Sequence, residues 1–554
     1  MSYIFFLFCY QFYYSQELEW VKYFESTTRS RGNSISYDSQ NNIIICGRFM
    51  GDVDFDLSDS IEVLYSGSYD DVFIVKLDSL GNFIWAKRTG NYDDDEGSQI
   101  SIDSQDNIYL TGFLKGDVDL DPGDQDIITN VNSWNNHFPF LQKYDQNGDL
   151  VWAKYFDTNC DVLGLSVDVD KSDNVLWAIQ AEYLELTIDQ VDVTFSSFGY
   201  HDIFILKINP NGEYSWCKQV GGVSHERVMS VETDVENNVV VGGFFASSAD
   251  FDPGPEIFEL TDVNYPSAFC LKLDSLGNFM WAKNKDSLFI DFEGDFSEIY
   301  DLACDKNGNV FGSANLNNHN VIFKLNKYGT VLWNKHNNNT YMNSGDRYGI
   351  TIDTMGNLYN VINYLDSFDL DPGINVDMVY DNGLNCNFGA DAAVIQSFDS
   401  NGNLIWGKSI IGCLGLISDL NVNEKGVILF TGEFYNFDFS SIDGGTTLAT
   451  NSALSILVGK IKNDIFSNVG LVEQNLNLEG VKIYPNPVIN DFVIVLPKEE
   501  NYGQLKISDL SGKILLESTV SSNELIDLGV ISNGIYLLDL KTKNSELKTK
   551  FIKL

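Results

Sequence analysis

The sequence predicts an all-β chain: a seven-bladed β-propeller closed by pairing of its N-terminal and C-terminal strands, followed by a small Ig-like β-sandwich. Three observations predict it. Six segments repeat one hairpin pattern, seven more repeat a second, and the two ends of the array are complementary fragments of one unit. The tail then changes composition.

The first pattern is FIVKLDSLGNFIWAK (Trp85), FLQKYDQNGDLVWAK (Trp152), FILKINPNGEYSWCK (Trp216), FCLKLDSLGNFMWAK (Trp281), VIFKLNKYGTVLWNK (Trp333) and VIQSFDSNGNLIWGK (Trp406). Each is two apolar runs joined by a D/N-x-x-G turn, whose glycine supplies the positive φ of a tight hairpin. The second pattern includes SISYDSQNNIIICGRF, QISIDSQDNIYLTGF and SVETDVENNVVVGGFF, again alternating runs around Asn, Asp or Gly turns. Two hairpins per unit give a four-stranded antiparallel sheet, the size of one propeller blade.

At the start, ELEWVKYF (Trp20) matches only the last strand of a unit, and the seventh unit stops after SILVGKIKN before its own Trp strand. Each end holds what the other lacks. Pairing them closes a ring over residues 17–464 and removes the exposed sheet edges of an open array. The runner-up is an open solenoid. The repeat wording resembles the bacterial β-propeller repeat (SBBP-like) family of Bacteroidota, which implies a fold and no reaction. The regular place of the Trp residues beside an alternating strand favours packing between blades over a sugar-binding surface.

Between the second and third strands of most units stands an acidic loop: GDVDFDLSD (Asp52, Asp54, Asp56), GDVDLDPGD (Asp117, Asp119, Asp121), ADFDPGPE (Asp250, Asp252) and FDLDPGIN (Asp369, Asp371). Alternate carboxylates on one face of an extended segment, roughly 7 Å apart, make these candidate calcium (Ca2+) loops. Turn chemistry explains the same residues, with Asp capping, Pro fixing φ and Gly taking the left-handed position. The EF-hand pattern is excluded, because the twelfth position is Ile128 counted from Asp117 and Val63 counted from Asp52.

Residues 1–16 begin with an apolar, aromatic run, MSYIFFLFCYQFYYS, too short for a membrane-spanning helix and shaped like the core of an export signal that lacks its basic flank. No other run approaches membrane length, so no transmembrane segment is expected in the mature protein. The chain carries 35 Lys+Arg against 79 Asp+Glu, a formal charge of −44. That excludes a nucleic-acid partner, which needs basic residues to displace counterions. None of the eight cysteines forms a C-x-x-C pair, which removes the common zinc and redox motifs.

Residues 465–480 read as a linker, and residues 481–554 as a separate domain with 9 Lys against 9 Asp+Glu. Short alternating strands with Gly turns make it a β-sandwich. VKIYPNP, LKISDLSGKIL, LGVISNGIYLLDLKT and the closing FIKL resemble the type A C-terminal sorting domain of the type IX secretion system of Bacteroidota. The resemblance maps its opening motif onto Tyr484, Pro485, Asn486 and Pro487. Its central turn falls on Gly512, its late strand on Gly534 and Tyr536, and its terminal basic residue on Lys553. It implies the secretion machinery as a partner, and a protein either released or attached at the cell surface.

Motifs of nucleophilic, zinc-dependent or nucleotide chemistry are absent from the chain. The five histidines, His137, His201, His225, His319 and His336, fall at non-equivalent places in the repeat and suggest no metal cluster. The leading expectation is a secreted or cell-surface binding, adhesion or scaffold module with a glycan or protein ligand and no catalysis. The alternative is an exported polysaccharide-active hydrolase or lyase with its site in the propeller funnel.

Overall fold

The computed structural model describes residues 16–58, 60–121, 123, 127–129, 136–156, 166–188, 191–289, 296–317, 319–336, 349–364, 367–371, 378–380, 392–413, 415–439, 442, 447–449, 454–463, 482–484, 491–495, 502–508, 513–521, 524–528, 534–542 and 546–553. The chain divides into two compact units, one of them Gln16–Lys462 and the other containing Asn463–Leu554. The leader expectation for residues 1–15, the linker 465–480, and Pro485, Asn486, Pro487 and Gly512 lie outside the described residues.

In the larger unit the described strands form four four-stranded antiparallel sheets, a ten-stranded sheet that contains two further four-stranded antiparallel runs joined through Tyr214–Gly222 and Val239–Asp250, and a six-stranded sheet that contains one more. Sheet one pairs Ser30–Tyr37, Ile43–Phe49, Asp71–Leu77 and Phe83–Thr89 in chain order; sheet two pairs Glu96–Ile102, Ile108–Lys115, His137–Tyr144 and Leu150–Tyr155. Sheet three begins at Ser166–Val169, sheet four at Glu226–Thr233, sheet five at Ser297–Cys304 and sheet six at Ile350–Ile352. Sheet seven takes Leu416–Val422, Ile428–Phe434 and Ser455–Asn463 from the end of the array, and its fourth strand is Gln16–Phe24. The first strand of every sheet lies against the first strand of the next, and that of sheet seven lies against that of sheet one, so the ring of inner strands is closed.

The repeat motif packs one sheet on its neighbour. The indole of Trp85 donates to the carbonyl of Gln146 in the next sheet (3.3 Å), and Trp152, Trp216, Trp281 and Trp333 do the same to Pro210, Ser275, Lys327 and Ser400 (3.1 to 3.4 Å). Gly148 shows why the turn glycine recurs: its φ is +82°, and a Cβ there would stand 2.8 Å from the Trp85 ring. The Trp residues are therefore inter-sheet packing groups. A second recurring link is buried: Lys76, Lys143, Lys207, Lys272 and Lys324 on the third strands face Asp38, Asp103, Asp170, Asp234 and Asp305 in the turns of the first hairpins, at 2.7 to 3.8 Å. In sheet six Ser397 stands where the lysine would be.

The tail unit holds a three-stranded sheet (Lys482–Tyr484, Asp491–Val495, Glu524–Asp527) and a four-stranded one (Ile514–Ser521, Tyr502–Ser508, Gly534–Lys541, Glu546–Lys553). Leu505, Ile507, Val520, Tyr536, Leu538 and Leu540 form its core. Gly534 pairs with Lys553 and Tyr536 with Phe551 across the last two strands, so the two late motifs of the sorting pattern are cross-strand neighbours.

Candidate functional site

In an antiparallel four-stranded sheet the loop between strands two and three, and the connection to the next sheet, emerge at one end. The inner strands also enter there. In five inner hairpins a β-bulge falls at the same place, inserting Asn33, Ser98, Met229, Tyr300 and Ser418 opposite a partner strand that has no counterpart. A bulge re-aims the extra side chain. Together with Ser34, Gln99, Asp301, Gly349 and Asp419, these five residues line one cavity at the ring axis. They break the period-2 alternation in RGNSIS, EGSQIS, RVMSVE, EIYDLA and LISDLN, and that break was the available signal in the sequence.

Polar acceptors around the axis, five of them the residue after a bulge, hold the ring together. Asp419 accepts from the amide of Ile35, Ser34 from Ile100, Gln99 from Val167, Ser166 from Val231, Ser230 from Leu302, Asp301 from Ile350 and Asn363 from Ile417, at 2.9 to 3.4 Å. Every link runs from one sheet to the next, and the seven close the circle. Sequence reasoning missed them, because an acceptor of any chemistry (Asp, Ser, Gln or Asn) serves and no single residue type repeats.

Four carboxylates converge on the axis: Asp301 and Asp419 near the mouth, Asp168 and Glu232 further along their strands. Burial pushes Asp301 up to about 7, against its amide bonds and with Asp419 adding repulsion. Burial raises Asp168 too, although Thr233, Val169 and Ser101 donate to it. Glu232 is driven well above the usual carboxylate range by burial first and by Asp168, Asp301 and Asp419 next. Among the described residues no hydrogen bond reaches its carboxyl group. The lining holds no lysine or arginine, so the mouth repels anions and suits neutral hydroxyl-rich or cationic groups.

The acidic loops form small hairpins at the same end of the sheets. Asp52–Asp54 pairs with Val63–Tyr65, Ser367–Asp369 pairs with Met378–Tyr380, Asp119 bridges to Ile128 and Asp250 faces Glu259. Their alternation is amphipathic: Val53, Phe55, Val118, Leu120, Phe251 and Phe368 are buried under the sheets, and the intervening Asp side chains turn the other way. One oxygen each of Asp54, Asp119 and Asp250 accepts from the amide two residues on and from the amide eight residues on, Glu62, Ile127 and Phe258, at 2.9 to 3.1 Å. Asp56, Asp121 and Asp252 each cap one amide, those of Ser58, Gly123 and Gly254, and Asp369 caps that of Asp371. Asp52 and Asp117 are exposed at the loop entrances. Among the described residues no group of three or more His, Cys, Asp or Glu side chains is placed to hold a metal ion. The structure does bring two histidines together, His201 and His225, which repeat position alone separated.

Residues 482–554 match the family described as secretion system C-terminal sorting domain. The protein is accordingly secreted or attached to the outer-membrane surface, and it engages the secretion machinery through that domain. No helix among the described residues is long and apolar enough to cross a membrane. The chain is 23% identical over 226 residues, 36% of its length, to an uncharacterized WD repeat-containing protein of Acanthamoeba polyphaga mimivirus, of which it spans 16%. Similar solved structures include a Bacteroides caccae protein of unknown function (11% identity, 61% of this chain and 89% of that one, TM-score 0.33). Others are the Neurospora crassa Pan2 WD40 domain (10%, 78% and 89%, 0.35) and PorZ, a surface component of the type IX secretion system of Porphyromonas gingivalis (11%, 96% and 100%, 0.15). With scores below 0.5 these likenesses carry no argument, and the fold rests on the strand pairing.

Proposed function

We propose that the chain is a secreted or surface-attached binding or scaffold module: a seven-bladed β-propeller that takes its ligand at the bulge-lined axial mouth, exported by an Ig-like sorting domain. The observation that carries this reading is the use of the axial acids. Asp301 and Asp419 each spend both oxygens on backbone amides, of Leu302 and Ile350 and of Leu420 and Ile35. Groups so engaged hold sheets in place and are poorly free to exchange protons with a substrate. The variable bulge residues Asn33, Ser98, Met229, Tyr300 and Ser418 are the ones that face a ligand, and their neutrality selects a glycan or a peptide without acidic side chains.

Glu232 favours a second reading. A carboxyl group whose ionisation is opposed by burial and by neighbouring acids, in an axial channel, suits the role of a general acid, so an exported polysaccharide-active hydrolase or lyase is the alternative. Glycan and peptide arrays probed with the wild-type chain and with Met229→Lys decide the first: binding that the added cation in the mouth abolishes supports it, and no binding by the wild type sinks it. Turnover across a polysaccharide panel, lost in Glu232→Gln, would establish the alternative.

A further inference from the structure

Where sheet three meets sheet four, two acidic side chains are enclosed. Asp202 begins the third strand of sheet three and Glu226 begins the first strand of sheet four, with 0% and 1% of their surface exposed. Both are tied to the last two residues of sheet three's outer strand, Gly221 and Gly222, which pair with Asp250 and Ala249 of sheet four. A Cβ on Gly221 would stand 2.3 Å from the Asp202 carboxyl group, and the amide of Gly222 donates to Oε2 of Glu226 (3.1 Å). Oδ2 of Asp202 accepts from the amide of Phe198 (3.0 Å) and from Nε2 of Gln219 (2.6 Å). Among the described residues no hydrogen bond reaches Oδ1 of Asp202 or Oε1 of Glu226.

The junction of sheets one and two supplies the contrast. There Asp71 and Asp95 stand at the equivalent positions: the amide of Asn91 donates to Asp95 (3.0 Å) as that of Gly222 does to Glu226, and a Cβ on Gly90 would meet Asp71 at 2.3 Å. Two contacts differ. Arg88 donates to Asp71 where Gln219 donates to Asp202, so a cation gives way to a neutral amide. The amide of Lys115 donates to the second oxygen of Asp95 (2.8 Å), whereas that of Ala246, its counterpart, goes to the carbonyl of His225 (3.0 Å). Two carboxylates buried together without a counter-charge do not both ionise. Burial pushes Glu226 up to about 8, with Asp202 adding repulsion, and burial raises Asp202 as well. The charged groups on the surrounding elements are engaged with one another. His201 and His225 face each other with Nδ1 atoms 3.2 Å apart, a Glu182 oxygen lies 3.8 Å from Nε2 of His201, Arg227 faces Glu298, Lys218 faces Asp274, and Asp250 accepts the amides of Asp252 and Phe258.

We propose that Asp202 and Glu226 share one proton, in a carboxyl–carboxylate hydrogen bond that does the work of Arg88 and makes the junction of sheets three and four a pH-sensitive lock. With the proton in place, Oδ1 of Asp202 and Oε1 of Glu226 bond to each other and the pair carries a single negative charge. The folded pair then holds a proton that the unfolded chain has released, so the stabilisation is complete below the ordinary carboxylate range and is lost as pH rises through about 8. Loss of the proton sets two like charges behind Gly221 and Gly222. Their pairing with Asp250 and Ala249, the backbone link between the two sheets, loosens as a result.

Difference infrared spectra of the full chain between about pH 5 and about pH 9 read the proton directly, as the stretch of a protonated carboxyl group. A component lost with a midpoint of about 8 is expected. Glu226→Gln and Asp202→Asn each remove it, and Asp301→Asn leaves it in place. Gln219→Arg, which supplies the cation found at the first junction, moves its midpoint down by about one pH unit or more. Hydrogen exchange followed by mass spectrometry reads the lock: protection of residues 217–228, corrected for the intrinsic rate, falls about tenfold or more from about pH 6 to about pH 9 in the wild type and not in Gln219→Arg. Thermal melts in mild acid establish that each variant is folded. Gln219→Arg keeps both acids, so it answers the question even where Glu226→Gln does not fold. A component unchanged in all three junction variants, a midpoint in the ordinary carboxylate range, or protection independent of pH overturns the proposal.

Discussion

Oδ2 of Asp419 accepts the amide of Ile35 at 2.9 Å, across 384 residues of sequence. The bond joins the last sheet to the first and is one of seven sheet-to-sheet links around the axis. Replacing Asp419 with Ala removes the acceptor and leaves a buried amide unpaired, at an expected cost of about 2–3 kcal/mol. Asn, which keeps one carbonyl oxygen, should retain part of it. Chemical denaturation followed by Trp fluorescence measures both, and an Ala variant as stable as the wild type would show that the ring does not depend on this closure.

The Lys207–Asp170 pair is buried on both sides, at 2.7 Å, with the ammonium also donating to the carbonyl of Ser275 (3.3 Å). Lys207→Met strands a buried carboxylate, and breaking one partner of such a pair costs about 3–5 kcal/mol. Adding Asp170→Asn to the same chain should recover part of the loss. Equal stability of the single and double variants would contradict the pairing.

Stability should peak in mildly acid solution. Burial raises Asp301 and Asp71 to about 7 and Glu226 to about 8, so the folded chain holds protons that the unfolded chain has lost. Stability therefore falls as pH rises from about 4 through 7 to 8. Asp38, Asp103, Asp170 and Asp234 shift the other way. Burial opposes ionisation, yet hydrogen bonds from Asn42, Asn107, Asn174 and Asn238, and the nearby lysines, outweigh it and hold these groups below 3.8. Their contribution is present above that value and is lost as pH falls through their folded pKa values. Melting temperature plotted against pH checks both limbs, and Asp301→Asn should flatten the alkaline one.

Calcium should have little effect on the melting temperature. One oxygen each of Asp54, Asp119 and Asp250 accepts two backbone amides, so the hairpins hold their shape without an ion. Titration to about 10 mM calcium, beyond the range of weak extracellular sites, is expected to shift the melt by less than about 1 °C. A saturable shift lost in Asp119→Asn would assign the loops to calcium instead. In the ion's absence Asp119→Ala should still destabilise the chain, by about 1–2 kcal/mol, as removal of a turn acceptor does.

The sequence by itself determined what repeats. Paired hairpins, the Trp that caps the next sheet's turn and the Gly148-type positive φ are local or nearest-neighbour requirements, so each leaves a mark at every copy. The sorting tail was legible for the same reason, since each of its motifs is a short run of contiguous residues. Only the tertiary structure decided what sits at the axis. The bulges that turn Asn33, Met229 and Tyr300 inward, the seven acceptors from Ser34 to Asp419 and the approach of His201 to His225 join residues tens to hundreds of positions apart. These contacts constrain geometry and hydrogen-bonding capacity while leaving residue type open, and a sequence pattern records type. The place where the repeat varies most is therefore the place where the ring converges, and function is to be sought there.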